Sequence, residues 1–237
     1  MLDLKLEKKE LPFAMAEEIK NLRTGITFCG ADIKTVLFTS SSPNEGKSTI
    51  SLETARSFAE LGKKVLYMDC DFRKSIFKYK IEDGKIGKGL THYLTGQCDF
   101  EDIIYRNYGR GDAEFYVIPS GPSSKSPTEL LASKRFIELL AKLRNDFDMV
   151  ILDTPPLANV VDASIIASNV DGSIILVEAG GMNYQIVQKV RDKLASSGAR
   201  ILGVVLNKVD KSKKGYGYYK YGKGYGYGYN YGYGDSR

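Results

Sequence analysis

Six strand-like segments that alternate with amphipathic helical patterns limit the possible folds of this sequence more than any other feature. Most of these segments are short apolar runs, at residues 34–40, 63–69, 114–121, 148–156, 172–180 and 199–210. Apolar residues at helical spacing mark the segments 14–28, 48–62, 126–147, 162–170 and 184–198. A strand that is apolar on both faces has to be covered on both sides. The alternation therefore predicts an α/β fold with a mainly parallel sheet covered by helices on both faces.

The periodic pattern stops near Asp210, and the composition changes there. Residues 211–237 contain nine tyrosines and eight glycines but no Leu, Ile, Val or Phe. Such a segment cannot bury enough apolar surface to offset its chain entropy. We therefore predict one domain at 1–210, with an N-terminal oligomerisation helix at about 14–28, and a disordered Gly/Tyr-rich tail at 211–237. Within the domain, residues 75–113 are expected to form short helices and loops.

The charge distribution argues against a globular nucleic-acid binder. The net charge of +5 is carried by the segment from Lys208 onward, which has seven basic and two acidic residues. The start of the chain, MLDLKLEKKELP, lacks the basic and apolar regions of a signal peptide. The three cysteines match no metal-ligand spacing, and no apolar run is long enough to cross a bilayer. We therefore expect a cytoplasmic protein with reduced thiols.

The segment SSPNEGKST, residues 41–49, lies between a predicted strand and a predicted helix. A glycine at 46 lets the backbone approach a phosphate, and the following helix N-terminus favours negative charge. This arrangement predicts a P-loop NTPase that binds ATP and Mg²⁺, with candidate nucleotide contacts at Ser42, Asn44, Glu45, Gly46, Lys47, Ser48 and Thr49. Ser41 replaces the usual first glycine of the loop, and Asn44 tolerates left-handed backbone angles. The alternative is a serine-rich turn with a chance Gly-Lys-Ser.

Carboxylates follow two further strands at the ends where ligands bind in open α/β sheets. Asp69 and Asp71 end one strand in VLYMDCDFRK, and Asp153 ends another in VILDTPP. These three aspartates are predicted to converge on the phosphate loop. The alternative for Asp71 is a surface ion pair with Arg73.

Taken together, these segments resemble the bacterial tyrosine kinases of capsule and exopolysaccharide synthesis. The resemblance covers nearly the whole chain and includes the tyrosine cluster and the segments AEEIKNLRT, IPSGPSSKSPTELL and GVVLNKVD. It implies an ATP-dependent protein-tyrosine autokinase that phosphorylates tail tyrosines of neighbouring copies. The acceptors would be Tyr216, Tyr218, Tyr219, Tyr221, Tyr225, Tyr227, Tyr229, Tyr231 and Tyr233.

The resemblance also implies a role for each matching residue of the site. Lys47 and Ser48 would hold phosphates and Mg²⁺, and Asp71 and Asp153 would support the metal. Asp69 would be the base for the incoming phenol, although the division of roles between Asp69 and Asp71 stays open. Asn207 would read adenine, and a simple strand-end turn is the equal alternative for that residue.

The partners implied by the resemblance lie at a membrane. They are the cytoplasmic segment of a membrane adaptor that governs polysaccharide chain length, a tyrosine phosphatase, further protein substrates and other copies of the chain in a ring. The chain would act at the inner face of the cell membrane as the separate kinase subunit. Glu17, Lys20 and Arg23 match the family's oligomerisation pattern, but Lys20 replaces an arginine and lacks its bidentate fork, which predicts ring assembly that is weaker or differently dependent on salt.

Three other functions compete with this interpretation. One is a cargo-positioning ATPase of the same fold, although such proteins carry a lysine early in the loop, where this chain has Ser42. Another is a regulatory module that holds ATP without chemistry. The tail by itself also matches a sticky association segment, or a tether to anionic lipid.

Overall fold

The protein is described by a computed structural model over residues 2–108, 113–157, 161–180 and 184–209. In these ranges the strands are β1 Leu2–Leu6, β2 Thr35–Ser40, β3 Val65–Asp69, β4 Ile81–Asp83, β5 Tyr105–Asn107, β6 Phe115–Ile118, β7 Met149–Asp153, β8 Gly172–Glu178 and β9 Ile201–Asn207. The helices are α1 Phe13–Phe28, α2 Lys47–Ala59, α3 Leu90–Leu94, α4 Pro127–Leu131, α5 Lys134–Asp146, α6 Asp162–Ala167 and α7 Tyr184–Ser196. The predicted disordered tail and its nine tyrosines lie outside the described residues.

The strands of the described ranges form one sheet in the order β4-β1-β5-β6-β3-β7-β2-β8-β9. From β6 to β9 every neighbouring pair is parallel. Antiparallel pairs occur between β5 and β6 and between β1 and β4. The prediction of a mainly parallel sheet is confirmed, and β3, β7 and β2 lie in the interior of its parallel part.

Apolar side chains cover both faces of the sheet, as the continuous apolar strands predict. Because alternate residues of a strand point to opposite faces, Leu37 of β2 packs with helices α4 to α7, whereas Val36 and Phe38 pack with α1 and α2. All three side chains are fully buried. The core is therefore two layers separated by the sheet, and the predicted α/β architecture with helices on both faces is confirmed.

Three local features differ from the sequence-based expectation. Residues 75–113, which were expected to form short helices and loops, also contain the short strands β4 and β5. The single helix predicted at 126–147 is two helices, because Ser133 caps the second one through its Oγ, which accepts a hydrogen bond from the Phe136 N–H. The first strand, β1, was not predicted. Its charged residues obscured an alternation in which Leu4 and Leu6 are buried.

No helix within the described ranges is long and apolar enough to cross a membrane.

Candidate active site

The phosphate loop follows β2 and runs into α2, and two of its residues have left-handed backbone angles. Asn44 has φ of 66° and Gly46 has φ of 90°. Gly46 immediately precedes the first turn of α2, so the helix N-terminus opens onto the loop. Backbone N–H groups at such a terminus have no partner within the helix and favour an anion. The local geometry is that of a phosphate site.

Glu45 holds the loop in shape from within. This buried carboxylate accepts hydrogen bonds from the Ser41 hydroxyl at 2.7 Å and from the Ser42 N–H at 2.9 Å. Asn207, the last residue of β9, donates from Nδ2 to the Glu45 carbonyl at 2.8 Å. Ser41 thus replaces the usual glycine with a side chain that bonds within the loop. The side-chain amide of Asn207 uses one of its N–H donors in this hydrogen bond to the loop backbone.

Gly46 has space for a hydrogen only, which gives a first testable prediction. A Cβ at this position would lie 2.3 Å from Nδ2 of Asn207, and φ is positive. We expect Gly46→Ala to weaken Mg-ATP binding at least about tenfold by titration calorimetry, because the loop must shift. Gly62→Ala is the matched control, since Gly62 has φ of 75° but nothing within 4 Å. Equal nucleotide affinity in the two variants would contradict this account.

The aspartates at the ends of β3 and β7 lie side by side next to the loop. The strand register pairs Asp69 with Asp153. The Lys47 ammonium lies 2.5 Å from Oδ1 of Asp153, and both side chains are buried. Oδ2 of the same carboxylate accepts a hydrogen bond from the Tyr67 hydroxyl at 3.0 Å. Each oxygen of Asp153 therefore accepts one hydrogen bond, from a buried ammonium and from a buried phenol, and keeps acceptor capacity for a metal ion.

The turn after β3 is organised by carboxylates. Asp69 accepts hydrogen bonds from the Asp71 N–H at 3.0 Å and from the Ser75 hydroxyl. Asp71 accepts from the N–H groups of Arg73 and Lys74. The guanidinium of Arg73 makes a bidentate pair with buried Asp162 of α6, at 2.8 and 3.1 Å. The alternative of a surface ion pair between Asp71 and Arg73 is thus wrong, since the guanidinium is used elsewhere.

Burial changes the proton affinities of two groups in this cluster. Desolvation, reinforced by the neighbouring Asp153 carboxylate, raises the pKa of Asp69 to about 7. Burial and the Asp153 charge also raise the pKa of Tyr67 well above its usual value. At neutral pH Asp69 can therefore both hold and release a proton, whereas Tyr67 stays protonated. Among the aspartates of the site, Asp69 has the property of a general base.

These groups line one cavity of about 620 Å³. Its lining includes most of the predicted site, namely Asn44, Glu45, Gly46, Lys47, Ser48, Thr49, Asp69, Asp71 and Asp153. Ser42 and Asn207 are absent from that lining. Ser42 is part of the loop and donates to the Glu45 carboxylate, and Asn207 donates to the Glu45 carbonyl. A cavity of this size is typical of a small-molecule or cofactor site.

The oxygen ligands of the cavity suit a Mg²⁺ ion that is also bound by nucleotide phosphates, rather than a metal ion held by protein side chains alone. Ser48, Asp71 and Asp153 offer hard oxygen ligands, which Mg²⁺ prefers. No group of three or more His, Cys, Asp or Glu in the described part of the chain forms a ready metal cage. Mg²⁺ commonly uses one or two carboxylates together with substrate phosphates, so this set suits the metal of a nucleotide complex.

The three predicted oligomerisation residues lie on α1, away from the cavity lining. Glu17 and Lys20 form an exposed ion pair of 2.7 Å along the helix. Arg23 instead donates to the carbonyl and hydroxyl of Ser57 on α2, at 2.9 and 3.0 Å. Arg23 therefore joins α1 to α2, and its role between subunits stays a prediction.

Tyr67 and Lys80 are two of the cavity residues that sequence reasoning missed. Tyr67 lies two residues before Asp69, so strand alternation could have placed both side chains on one face. Lys80 ends a 3₁₀ turn at Phe77–Lys80 and donates to the Ser48 carbonyl at 3.2 Å. Burial lowers the pKa of Lys80, opposed by the charge of Asp153. No spacing in the sequence links Lys80 to the loop 32 residues earlier.

A phosphate loop between β2 and α2, with aspartates at neighbouring strand ends, defines a P-loop nucleoside triphosphatase fold. Residues 35–207 match the family described as AAA domain. A MinD septum site-determining protein from Pyrococcus horikoshii, complexed with Mg-ADP, shares this fold, with a TM-score of 0.61 and 21% identity over 73% of this chain and 70% of that one.

More similar proteins define the family within that class. Tyrosine-protein kinase CpsD of Streptococcus agalactiae is 39% identical over 200 residues, which cover 84% of this chain and 86% of the relative. The kinase domain of the Escherichia coli tyrosine kinase ETK has a TM-score of 0.77 and 28% identity, over 94% of this chain and 87% of that one. The chain belongs to the bacterial tyrosine-protein kinases, which confirms the resemblance. The cargo-positioning ATPase is not favoured.

Proposed function

We propose that this protein transfers the γ-phosphoryl group of ATP to tyrosines in the tail of a neighbouring copy. One observation carries the proposal: the phosphate loop, Lys47 and three aspartates at or just after strand ends line a single cavity. The same chain has nine tyrosines between residues 216 and 233. The kinship with tyrosine-protein kinases supports the same activity. The loop supplies positioning and the aspartates supply proton and metal chemistry.

The phosphates of ATP would lie on the loop and the N-terminus of α2. Lys47 provides a buried positive charge beside Asp153, and Gly46 allows close approach of the backbone. Ser48, Asp71 and Asp153 would hold Mg²⁺, which neutralises developing charge on the phosphates when bound. Asn207 and Glu45 would keep the loop in its binding shape.

The transfer itself needs a phenol placed in line with the γ-phosphorus. A bond forms from the phenol oxygen to that phosphorus, the bond to the β–γ bridging oxygen breaks, and ADP leaves with the electron pair. Asp69 accepts the phenol proton, since its pKa of about 7 lets it be unprotonated at cellular pH. An ordinary tyrosine has pKa of about 10 and depends on this help.

The acceptors must be accessible phenols. Tyr67 and Tyr105 are buried in the folded domain, so neither can enter a neighbour's cavity. The described part of the domain also exposes Tyr79, Tyr108 and Tyr184, but none of them belongs to a tyrosine cluster. The tail tyrosines are separated mostly by glycines, which permit many backbone conformations. We therefore assign phosphorylation to residues 216–233.

The cellular setting is part of the same proposal. We assign the kinase to the inner face of the cell membrane, bound to the cytoplasmic segment of an adaptor that sets polysaccharide chain length. Glu17 and Lys20 are exposed on α1 and available for subunit contacts in a ring. A tyrosine phosphatase would reverse the modification, and capsule or exopolysaccharide synthesis is the process regulated.

Mixing two complementary variants tests transfer between copies. Lys47→Met keeps an intact tail, and the second variant keeps an intact site but has phenylalanine at all nine tail positions. With Mg-ATP and the adaptor segment, mass spectrometry is expected to show phosphotyrosine on the Lys47→Met chain. Neither variant should be labelled alone. Label appearing only as free phosphate would support an ATPase, and self-labelling of wild type without labelling of the mixture would contradict transfer in trans.

A further inference from the structure

Lys80 stands out among the charged residues of the cavity. It is half-buried, lines the cavity and donates to the Ser48 carbonyl in the first turn of α2. Within the described ranges no carboxylate lies close enough to form an ion pair with its ammonium. By contrast, Lys47 is neutralised by Asp153 at 2.5 Å, and the Arg73 guanidinium is taken by Asp162. Lys80 is thus a cation in the cavity that forms no direct ion pair in the described ranges, and the carboxylates of Asp153 and Glu53 act on it only from a greater distance.

The backbone of Lys80 is held firmly at this position. Phe77, which begins the same turn, is buried and stacks on the Tyr67 ring with centroids 5.7 Å apart. The Lys80 carbonyl accepts a hydrogen bond from the Glu7 N–H at 2.7 Å, just after β1. The next residue begins β4, which pairs with β1. The ammonium is therefore carried on a turn fixed at both ends.

An ammonium group has three donors, and the Ser48 carbonyl uses one. Partial burial of a lysine that has no direct ion pair is unfavourable, so an anionic ligand in contact with its ammonium would compensate the burial. The adjacent loop and helix N-terminus already favour phosphate. A ligand with three or four negative charges and several oxygens would accept hydrogen bonds from the remaining donors of the Lys80 ammonium.

We propose that Lys80 is a second phosphate-binding cation, which contacts the terminal phosphoryl group of the bound nucleoside triphosphate. The inference rests on the proposed function and extends it by one catalytic residue. Charge on the equatorial oxygens of the transferred group would be shared between Lys47 and Lys80. A fixed cation at that position stabilises the group during transfer without reorganisation.

Nucleotide binding separates this role from a structural one. Full-length Lys80→Met is compared with Lys78→Met, which removes an exposed lysine of the same turn whose ammonium lies over the Tyr79 ring. Affinities for a non-hydrolysable ATP analogue and for ADP are measured with Mg²⁺ by calorimetry. Lys80→Met is expected to weaken the triphosphate about tenfold or more and ADP less than about threefold, because only the triphosphate has the terminal group. Lys78→Met should change neither.

Equal triphosphate affinity in wild type and Lys80→Met would overturn the proposal, as would an equal loss for ADP and the triphosphate. Lys80→Arg keeps the charge and should retain part of the selectivity for triphosphate. Thermal unfolding of each variant reports folding, and Lys80→Gln replaces the methionine variant if that one unfolds. If Lys80→Met loses its preference for the triphosphate but wild-type protein forms no phosphotyrosine, the role of Lys80 stands and the proposed kinase activity is rejected. If wild-type protein forms phosphotyrosine but Lys80→Met keeps the wild-type preference for the triphosphate, the kinase activity stands and the role of Lys80 is rejected.

Discussion

Replacing Lys47 by methionine is expected to lower tail phosphorylation on the order of a thousandfold, measured as phosphotyrosine formed per minute with saturating Mg-ATP. The ammonium is buried beside Asp153 and next to the phosphate loop, so water cannot substitute for it. Methionine is also unbranched and only one atom shorter than lysine, but it provides no charge. Lys63→Met, which changes an exposed lysine, should leave the rate unaltered.

The stability of Lys47→Met has to be measured as well, so that a loss of activity can be distinguished from a loss of folding. Lys47→Met leaves the Asp153 carboxylate buried without its ammonium, which should lower the free energy of unfolding by a few kcal/mol, roughly 3. The double variant Lys47→Met/Asp153→Asn removes both charges and should regain much of that stability while staying inactive. Wild-type phosphorylation by Lys47→Met would refute the phosphate-binding role. Inactive Lys47→Met together with a double variant that regains most of the stability would show that the loss of activity is not a loss of folding.

Replacing Asp69 by asparagine is expected to give the second large effect, a loss of about 10²- to 10⁴-fold in kcat/KM for ATP-dependent phosphorylation. Because a general base must be unprotonated, wild-type kcat/KM should rise with pH through the pKa of Asp69, about 7. Asp69→Asn should lose this acid limb. Measuring kcat/KM from pH 5.5 to 8.5 for both proteins checks the assignment.

Asp71→Asn is the matched control, since Asp71 lies on the same turn and its carboxylate accepts backbone N–H bonds. We expect this variant to need more Mg²⁺ but to keep the acid limb. If Asp71→Asn removed the limb and Asp69→Asn kept it, the two roles would have to be exchanged. That measurement decides the division of roles that the sequence leaves open.

The carboxyl group of Asp69 should also make the free energy of unfolding depend on pH. The folded-state pKa of Asp69 is raised, so the folded protein binds its proton more tightly than the unfolded chain. Its stabilising contribution is complete below about pH 4 and is lost as pH rises to about 7. Asp69→Asn should therefore unfold at a higher temperature than wild type at pH 8, and that advantage should shrink at pH 5.

The sequence predicted those parts of the molecule that depend on local pattern. Continuous apolar runs located the central strands, and the strand–loop–helix order located the phosphate loop. Strand ends are also a local property, so the meeting of Asp69 with Asp153 followed from the fold class. By contrast, β1 was missed because Asp3 and Lys5 interrupt its apolar residues, and the break before α5 depends on one serine cap.

Contacts between distant segments could not be predicted in this way. Arg73 pairs with Asp162, 89 residues later, and Lys80 reaches back 32 residues to Ser48. Both contacts are set by how the turn after β3 packs on the sheet, through Phe77 beneath Tyr67. Local periodicity contains no information on such packing.

The hydrogen bond from Asn207 to the Glu45 carbonyl ties the end of the last described strand to the phosphate loop. β9 ends at Asn207, so this bond joins two segments that are far apart in the sequence. A nucleotide that changes the shape of the loop must therefore either break this hydrogen bond or move the end of β9 with the loop. The position of the last described strand is thereby coupled to the conformation of the phosphate loop.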